Sequence, residues 1–154
     1  MRSKVICCWL AGFLMLIAGT ESLAQEKGFG LGVILGEPTG VSGKSWVSQR
    51  NAVDGGLAWS FGDNGSIHIH ADYLWHFGGT IESSERITPY VGVGARVAAG
   101  NGGVFGIRVP VGLVWWPRNA PIDVFVELVP IVDLAPATEL RANGGVGVRF
   151  YVFK

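Results

Sequence analysis

From Phe29 onward, apolar side chains recur at every second position, the spacing of β-strands with two unlike faces, and helical periodicity is absent. Phe29, Leu31, Val33 and Leu35 alternate with Gly30, Gly32, Ile34 and Gly36, and Glu37-Pro38-Thr39-Gly40 turns the chain into a second segment at 41–47. After a turn at 48–51, Val53, Leu57, Trp59 and Phe61 alternate with Asp54, Gly56, Ala58 and Ser60, as far as the hairpin signal Gly62-Asp63-Asn64-Gly65. In the fourth segment Ile67, Ile69, Ala71, Tyr73, Trp75 and Phe77 form one face, and His68, His70, Asp72, Leu74 and His76 the other. A polar link over 78–88 leads to a fifth segment, where Val91, Val93, Ala95 and Val97 oppose Tyr90, Gly92, Gly94 and Arg96. Beyond Gly100-Asn101-Gly102-Gly103, a sixth sets Phe105, Ile107, Val109, Val111, Leu113 and Trp115 against Gly106, Arg108, Pro110, Gly112, Val114 and Trp116. A turn over 117–121 precedes the seventh, with Ile122, Val124, Val126 and Leu128 against Asp123, Phe125, Glu127 and Val129. A link over 135–141 precedes the eighth, with Val146, Val148, Phe150 and Val152 against Gly145, Gly147, Arg149 and Tyr151.

These segments predict an all-β fold: a closed eight-stranded antiparallel up-and-down transmembrane β-barrel. The less apolar face consists of glycines with isolated charges. A water-facing surface would carry many Lys, Glu and other polar side chains, and glycine there would only weaken the strands. Inside a narrow eight-stranded barrel the same glycines fit, because that interior only just accommodates its side chains. The apolar face is then the lipid-facing one. Phe29, Trp46, Trp59, Phe61, Trp75, Phe77, Trp115, Tyr151 and Phe153 lie toward segment ends, where interfacial aromatic girdles are expected.

Composition agrees with this picture. Charged residues make up 16% of the 154 residues and glycine occurs 24 times, against about 25% and about 7% in ordinary soluble domains. Past the leader no apolar run is long enough for a helical span. With 12 basic and 12 acidic residues the chain has no electrostatic footprint for nucleic acid. Residues 1–24 read as a signal peptide: Arg2 and Lys4, then the apolar stretch 5–18, then Ser22-Leu23-Ala24 before cleavage. The barrel domain is then 25–154. Both cysteines, Cys7 and Cys8, fall in the leader, so disulfides, thiol catalysis and cysteine-bound metal are not expected of the mature chain.

Several stretches are similar to a known family. Gly36-Glu37-Pro38-Thr39-Gly40 with Lys44 and Trp46, Ala52-Val53-Asp54-Gly55-Gly56 with Trp59-Ser60-Phe61, and His70-Ala71-Asp72-Tyr73-Leu74-Trp75-His76 resemble small bacterial outer-membrane barrels of uncharacterised function, described as OmpA-like in their transmembrane domain. The likeness continues through Gly106-Ile107-Arg108-Val109-Pro110-Val111-Gly112 and through Glu127-Leu128-Val129-Pro130-Ile131-Val132-Asp133-Leu134-Ala135-Pro136-Ala137-Thr138. It implies an eight-stranded barrel in the bacterial outer membrane, in contact with lipid and lipopolysaccharide, assembled by the barrel-assembly machinery and monomeric. It supplies no catalytic residues and no cofactor. Barrels of this kind commonly end on an aromatic residue, whereas here Phe153 is followed by Lys154.

The candidate site is the lumen. Asp54, Asp72, Asp123 and Glu127 face Arg96, Arg108 and Arg149, with Lys44 sharing a face with Trp46. Isolated charges in such an interior are costly, so a paired network that plugs the barrel is expected. The alternative is that the pairs switch and open a narrow gated ion path. His68, His70 and His76 are expected as lumen histidines rather than as a metal site, since neighbours on one face of a strand stand about 6.6 Å apart and a closed site needs a ligand from another strand. A lipid-A-modifying enzyme would need a serine with an aligned histidine and acid; Ser60 and Ser66 near His68 are the only approach to that pattern. Surface binding is disfavoured by short loops; the longest polar link, 78–88, is expected to face the periplasm, where Glu82, Glu85 and Arg86 are candidates to contact another envelope protein. The expected role is a structural envelope component.

Overall fold

The computed structural model describes residues 28–60, 65–78, 81, 85–100 and 102–152. The expected leader with its two cysteines, Phe61, the 62–64 part of the third turn, Glu82, Asn101, Phe153 and Lys154 lie outside the described residues. Nine strands form one antiparallel sheet: β1 (Phe29–Glu37), β2 (Thr39–Trp46), β3 (Asn51–Ser60), β4 (Ser66–His76), β5 (Arg86–Ala99), β6 (Val104–Arg108), β7 (Val111–Trp116), β8 (Ile122–Ala135) and β9 (Glu139–Val152). Among the described residues there is no helix.

Every strand except β6 and β7 pairs with its neighbours in sequence, and β1 also pairs with β9, from Phe29 opposite Val152 to Glu37 opposite Gly144. With β4 paired to β5, the hydrogen-bonding pattern runs round a complete ring and leaves no free edge. The short turns carry the conformations that glycine tolerates best. Gly102 and Gly103, between β5 and β6, have φ of 108° and 58°.

Nine strands replace the expected eight because Pro110 interrupts the sixth segment. Proline has no N–H to give a ladder. On the β5 side the register nevertheless continues across the break: Gly94 pairs with Arg108 and Val91 with Val111, three residues on along each strand. Gly92 N–H donates to Pro110 O at 2.8 Å and Val109 N–H to Pro130 O at 3.0 Å, so β6 and β7 act as two halves of one stave. Two link boundaries also differ from expectation. β5 already begins at Arg86, opposite Trp116, and β8 runs on to Ala135, pairing Asp133 with Glu139 and leaving only 136–138 as the connection to β9.

The two faces sort as the alternation predicts, with the apolar one outward. Leu31 (58% exposed), Val33, Leu57, Ile69, Val93, Ile107, Leu113, Leu128, Val148 and Phe150 stand on the outside. Inside lie Lys44, Asp54, Asp72, Arg96, Arg108, Asp123, Glu127, Asp133 and Arg149, together with apolar and aromatic residues that include Ile34, Leu74, Tyr90, Val114 and Phe125. This reverses the usual distribution between core and surface. Trp46 and Tyr151, expected among outward aromatics, are instead buried in the interior at one end.

Glycine makes the crowded interior possible. Tyr151 lies across from Gly30, Tyr90 from Gly112, Phe125 from Gly147, Asp72 from Gly94 and Asp133 from Gly106, each as a direct cross-strand pair. In each pair the large side chain occupies the space a Cβ on the glycine would need; at Gly30 such an atom would sit 2.6 Å from Tyr151 Cζ. A large residue against an absent one lets the ring stay narrow and filled.

Candidate functional site

The interior is layered along the strands. At the end that includes Phe29, Trp46, His76, Trp116 and Tyr151, aromatic rings cluster in the interior. Trp46 stacks obliquely on His76 (centroids 4.5 Å apart) and Trp116, and Trp116 meets Tyr151 at 5.0 Å. Lys44 rises into this cluster, its Nζ 2.8 Å from His76 Nε2 and 4.6 Å from the Trp46 ring, so cation–π attraction and a hydrogen bond hold a charge that is almost wholly buried. Beyond the cluster, a mouth cavity of about 330 Å³ is lined by Trp46, Arg50, His76, Glu85, Arg86 and Trp116 among others.

The middle layer holds the charge network. Arg149 lies 3.4 Å from Asp54 and 3.6 Å from Asp123, donates to Ser42 Oγ at 3.1 Å, and lays its guanidinium 3.9 Å from the centroid of Phe125. Arg108 stands between Asp72, at 3.0 Å, and Glu127, at 3.7 Å. The contact to Asp72 is an ion pair without hydrogen-bond geometry, since neither Arg108 Nε nor Asp72 Oδ1 has a hydrogen-bond partner. Tyr90 donates its hydroxyl to Glu127 at 2.9 Å and Tyr151 to Asp123 at 2.7 Å. Each guanidinium is therefore shared by two carboxylates, and two tyrosines use part of the remaining acceptor capacity.

Toward the opposite end, Arg96 binds Asp133 through Nε and Nη2 at 2.6–3.0 Å, and Arg141, half-exposed at the rim, reaches the same carboxylate at 3.0 Å. Asp133 is the interior charge that sequence reasoning missed, because Pro130, a residue without a ladder N–H, reads as the end of the seventh segment. The alternation Val129, Ile131, Asp133 was the available signal.

All seven charged residues singled out from the sequence are buried within the ring, and Lys44 joins them. The histidines share a face but not a site. His68 bonds Ser66 Oγ at 2.7 Å near the rim, His76 belongs to the aromatic end, and His70 alone approaches Asp54 and Asp72. Ser66 and His68 stand as a nucleophile–base pair would, but His68 Nδ1 has no hydrogen-bond partner, so the orienting acid of a triad is not in place among the described residues. The side chain of Ser60 is outside the description. Compared with family models, with curated proteins and with solved structures, the chain matches none.

Proposed function

We propose that this chain is a small outer-membrane β-barrel, exported by its leader and embedded as a monomer, whose lumen is closed by side chains and whose role is structural. One observation carries the reading: a ring with no sheet edge turns most of its valines, leucines, isoleucines and phenylalanines outward and gathers a network of charges inside. Continuous apolar surface over a whole closed sheet suits hydrocarbon, because a strand can cross a bilayer only when its backbone groups are satisfied by neighbouring strands. Exposed aromatics support two girdles. Phe29, Trp75, Phe77 and Trp115 stand near one end of the ring and Trp59 and Phe105 near the other. Trp115 Nε1 donates to Glu85 at 3.0 Å, as an indole at a polar boundary does.

The test is solubility and insertion. The refolded mature chain is expected to aggregate without detergent and to insert into lipid vesicles with β-rich circular dichroism. A folded monomer in detergent-free buffer would refute the reading.

The shared guanidiniums favour a second reading, a narrow gated pore. Arg108 between Asp72 and Glu127, and Arg149 between Asp54 and Asp123, each have two carboxylates in reach, so a change of partner opens space without leaving a bare charge. Planar-bilayer recordings separate the two: silence supports the plug, and discrete openings altered by Glu127→Gln support the pore.

A further inference from the structure

We propose that Asp54, His70 and Asp72 form a binding site inside the ring for a divalent transition-metal cation of the Zn2+ class. The inference requires only the ring and its register, and holds whether or not the outer face meets lipid.

Cross-strand pairing sets Asp54 of β3 directly opposite Asp72 of β4, so two carboxylates point into the same small volume. Like charges facing each other in a ladder repel, and here both groups are buried, at 6% and 3% exposure. His70 is the next inward residue on β4; it lies across from Gly56, which leaves room for its ring against the β3 backbone. One ligand atom from each of the three residues lies within 4.8 Å of the others.

The polar atoms of this cluster are incompletely used. Asp54 Oδ1 and His70 Nδ1 are buried without hydrogen-bond partners, and Asp72 Oδ1 has only the ion pair with Arg108 at 3.0 Å. Buried polar atoms in native proteins are almost always satisfied, so Asp54 Oδ1 and His70 Nδ1, unpartnered on two strands, point to a ligand that accepts their lone pairs, with Asp72 completing the group of three. Arg149 holds Asp54 through Oδ2 and leaves Oδ1 without a hydrogen-bond partner. The field permits a cation. Around this layer Asp54, Asp72, Asp123 and Glu127 outnumber Arg108, Arg149 and Lys44, the last placed opposite Asp54 by the β2–β3 register.

Donor chemistry selects the ion class. An imidazole with two carboxylates suits Zn2+ and its first-row neighbours, whereas Mg2+ and Ca2+ favour all-oxygen shells. Access runs from the rim: along β4 the inward side chains pass from half-buried Ser66, His68 and His70 to buried Asp72. A metal arriving from that end meets His68 and then the site.

The experiment uses the full mature chain in detergent micelles, stripped with a chelator and titrated with ZnCl2 alone by calorimetry, with Co2+ as a spectroscopic probe. One Zn2+ per chain is expected. His70→Gln should weaken binding roughly tenfold or more and abolish the Co2+ visible bands, while His68→Gln, whose imidazole is engaged by Ser66, stays within about threefold. Asp54→Asn should also lose binding; should it not fold, His70→Gln decides alone, because its ring lies over a glycine and holds no ion pair. Absence of stoichiometric Zn2+ and Co2+ binding overturns the proposal, as does a His70→Gln protein that binds like the wild type. So does a metal-free Asp54→Asn protein more stable than the wild type that shows no metal uptake in either form, which would mean that the carboxylates share a proton instead.

Discussion

At the scale of single residues, the interior works by pairing a large side chain with a glycine across the ladder. Phe125 over Gly147 is the tightest such case among aromatics, and the same Phe125 ring supports the Arg149 guanidinium. Gly147→Ala is therefore expected to destabilise by about 1–3 kcal/mol through overpacking. Phe125→Leu in the same chain should recover part of that loss, so a double-mutant cycle from urea unfolding in vesicles should show coupling well outside additivity. Independent effects would mean that the ring does not fill the glycine's space. The pairing was half legible in the sequence. Alternation put glycines and large residues on one face, but which glycine receives which ring depends on register, and register is fixed by turns whose length the sequence leaves open.

At the scale of strands, period-two alternation located every stave because it survives even where glycine dilutes it. Strand ends were harder. Residues 85–88 and 130–135 carry Pro, Glu, Arg and Asp, the residue types of links, yet the ladder runs through them because their partners on β7 and β9 satisfy the backbone. The clearest consequence lies at Asp133. From β8 it ties Arg96 of β5 and Arg141 of β9, and so pins the rim of three staves. Asp133→Asn leaves Arg96 buried with weakened compensation, and its cost should approach the roughly 3–5 kcal/mol of a broken buried pair. Glu139→Gln, which touches only the exposed side of Arg141, should cost about 0–1 kcal/mol. Amide hydrogen exchange should speed up at the rim ends of β5 and β9 in the first variant only. The cluster of Asp54, His70 and Asp72 belongs to this scale as well. The sequence showed His70 and Asp72 on one face of β4, but only the β3–β4 hairpin brings Asp54 opposite, while His68 and His76 separate along the strand.

At the scale of the molecule, the ring sets a girdle of apolar side chains around a charged interior, and the proposed bilayer location makes the cost of a charge depend on depth. Val33 lies midway along β1 with Val41 and Val148 as partners, whereas Phe29 lies at the end. Val33→Arg is expected to destabilise the vesicle-inserted protein by about 2–4 kcal/mol and Phe29→Arg by about 0–1 kcal/mol. Equal, small effects at both positions would argue for water on the outer face.

The meeting of β1 with β9 makes the chain's completion a condition for any of this. All nine residues of β1 pair with the final strand, and β8 borders that same strand over twelve. A chain stopped after Thr138 exposes two long unsatisfied borders at once, so it should yield no stable partial sheet: protease protection in vesicles should vanish altogether rather than shrink by one strand. Conversely, Phe29 and Val152 stand side by side, so a short bridge between them, with new termini opened in an existing turn, should leave the architecture intact.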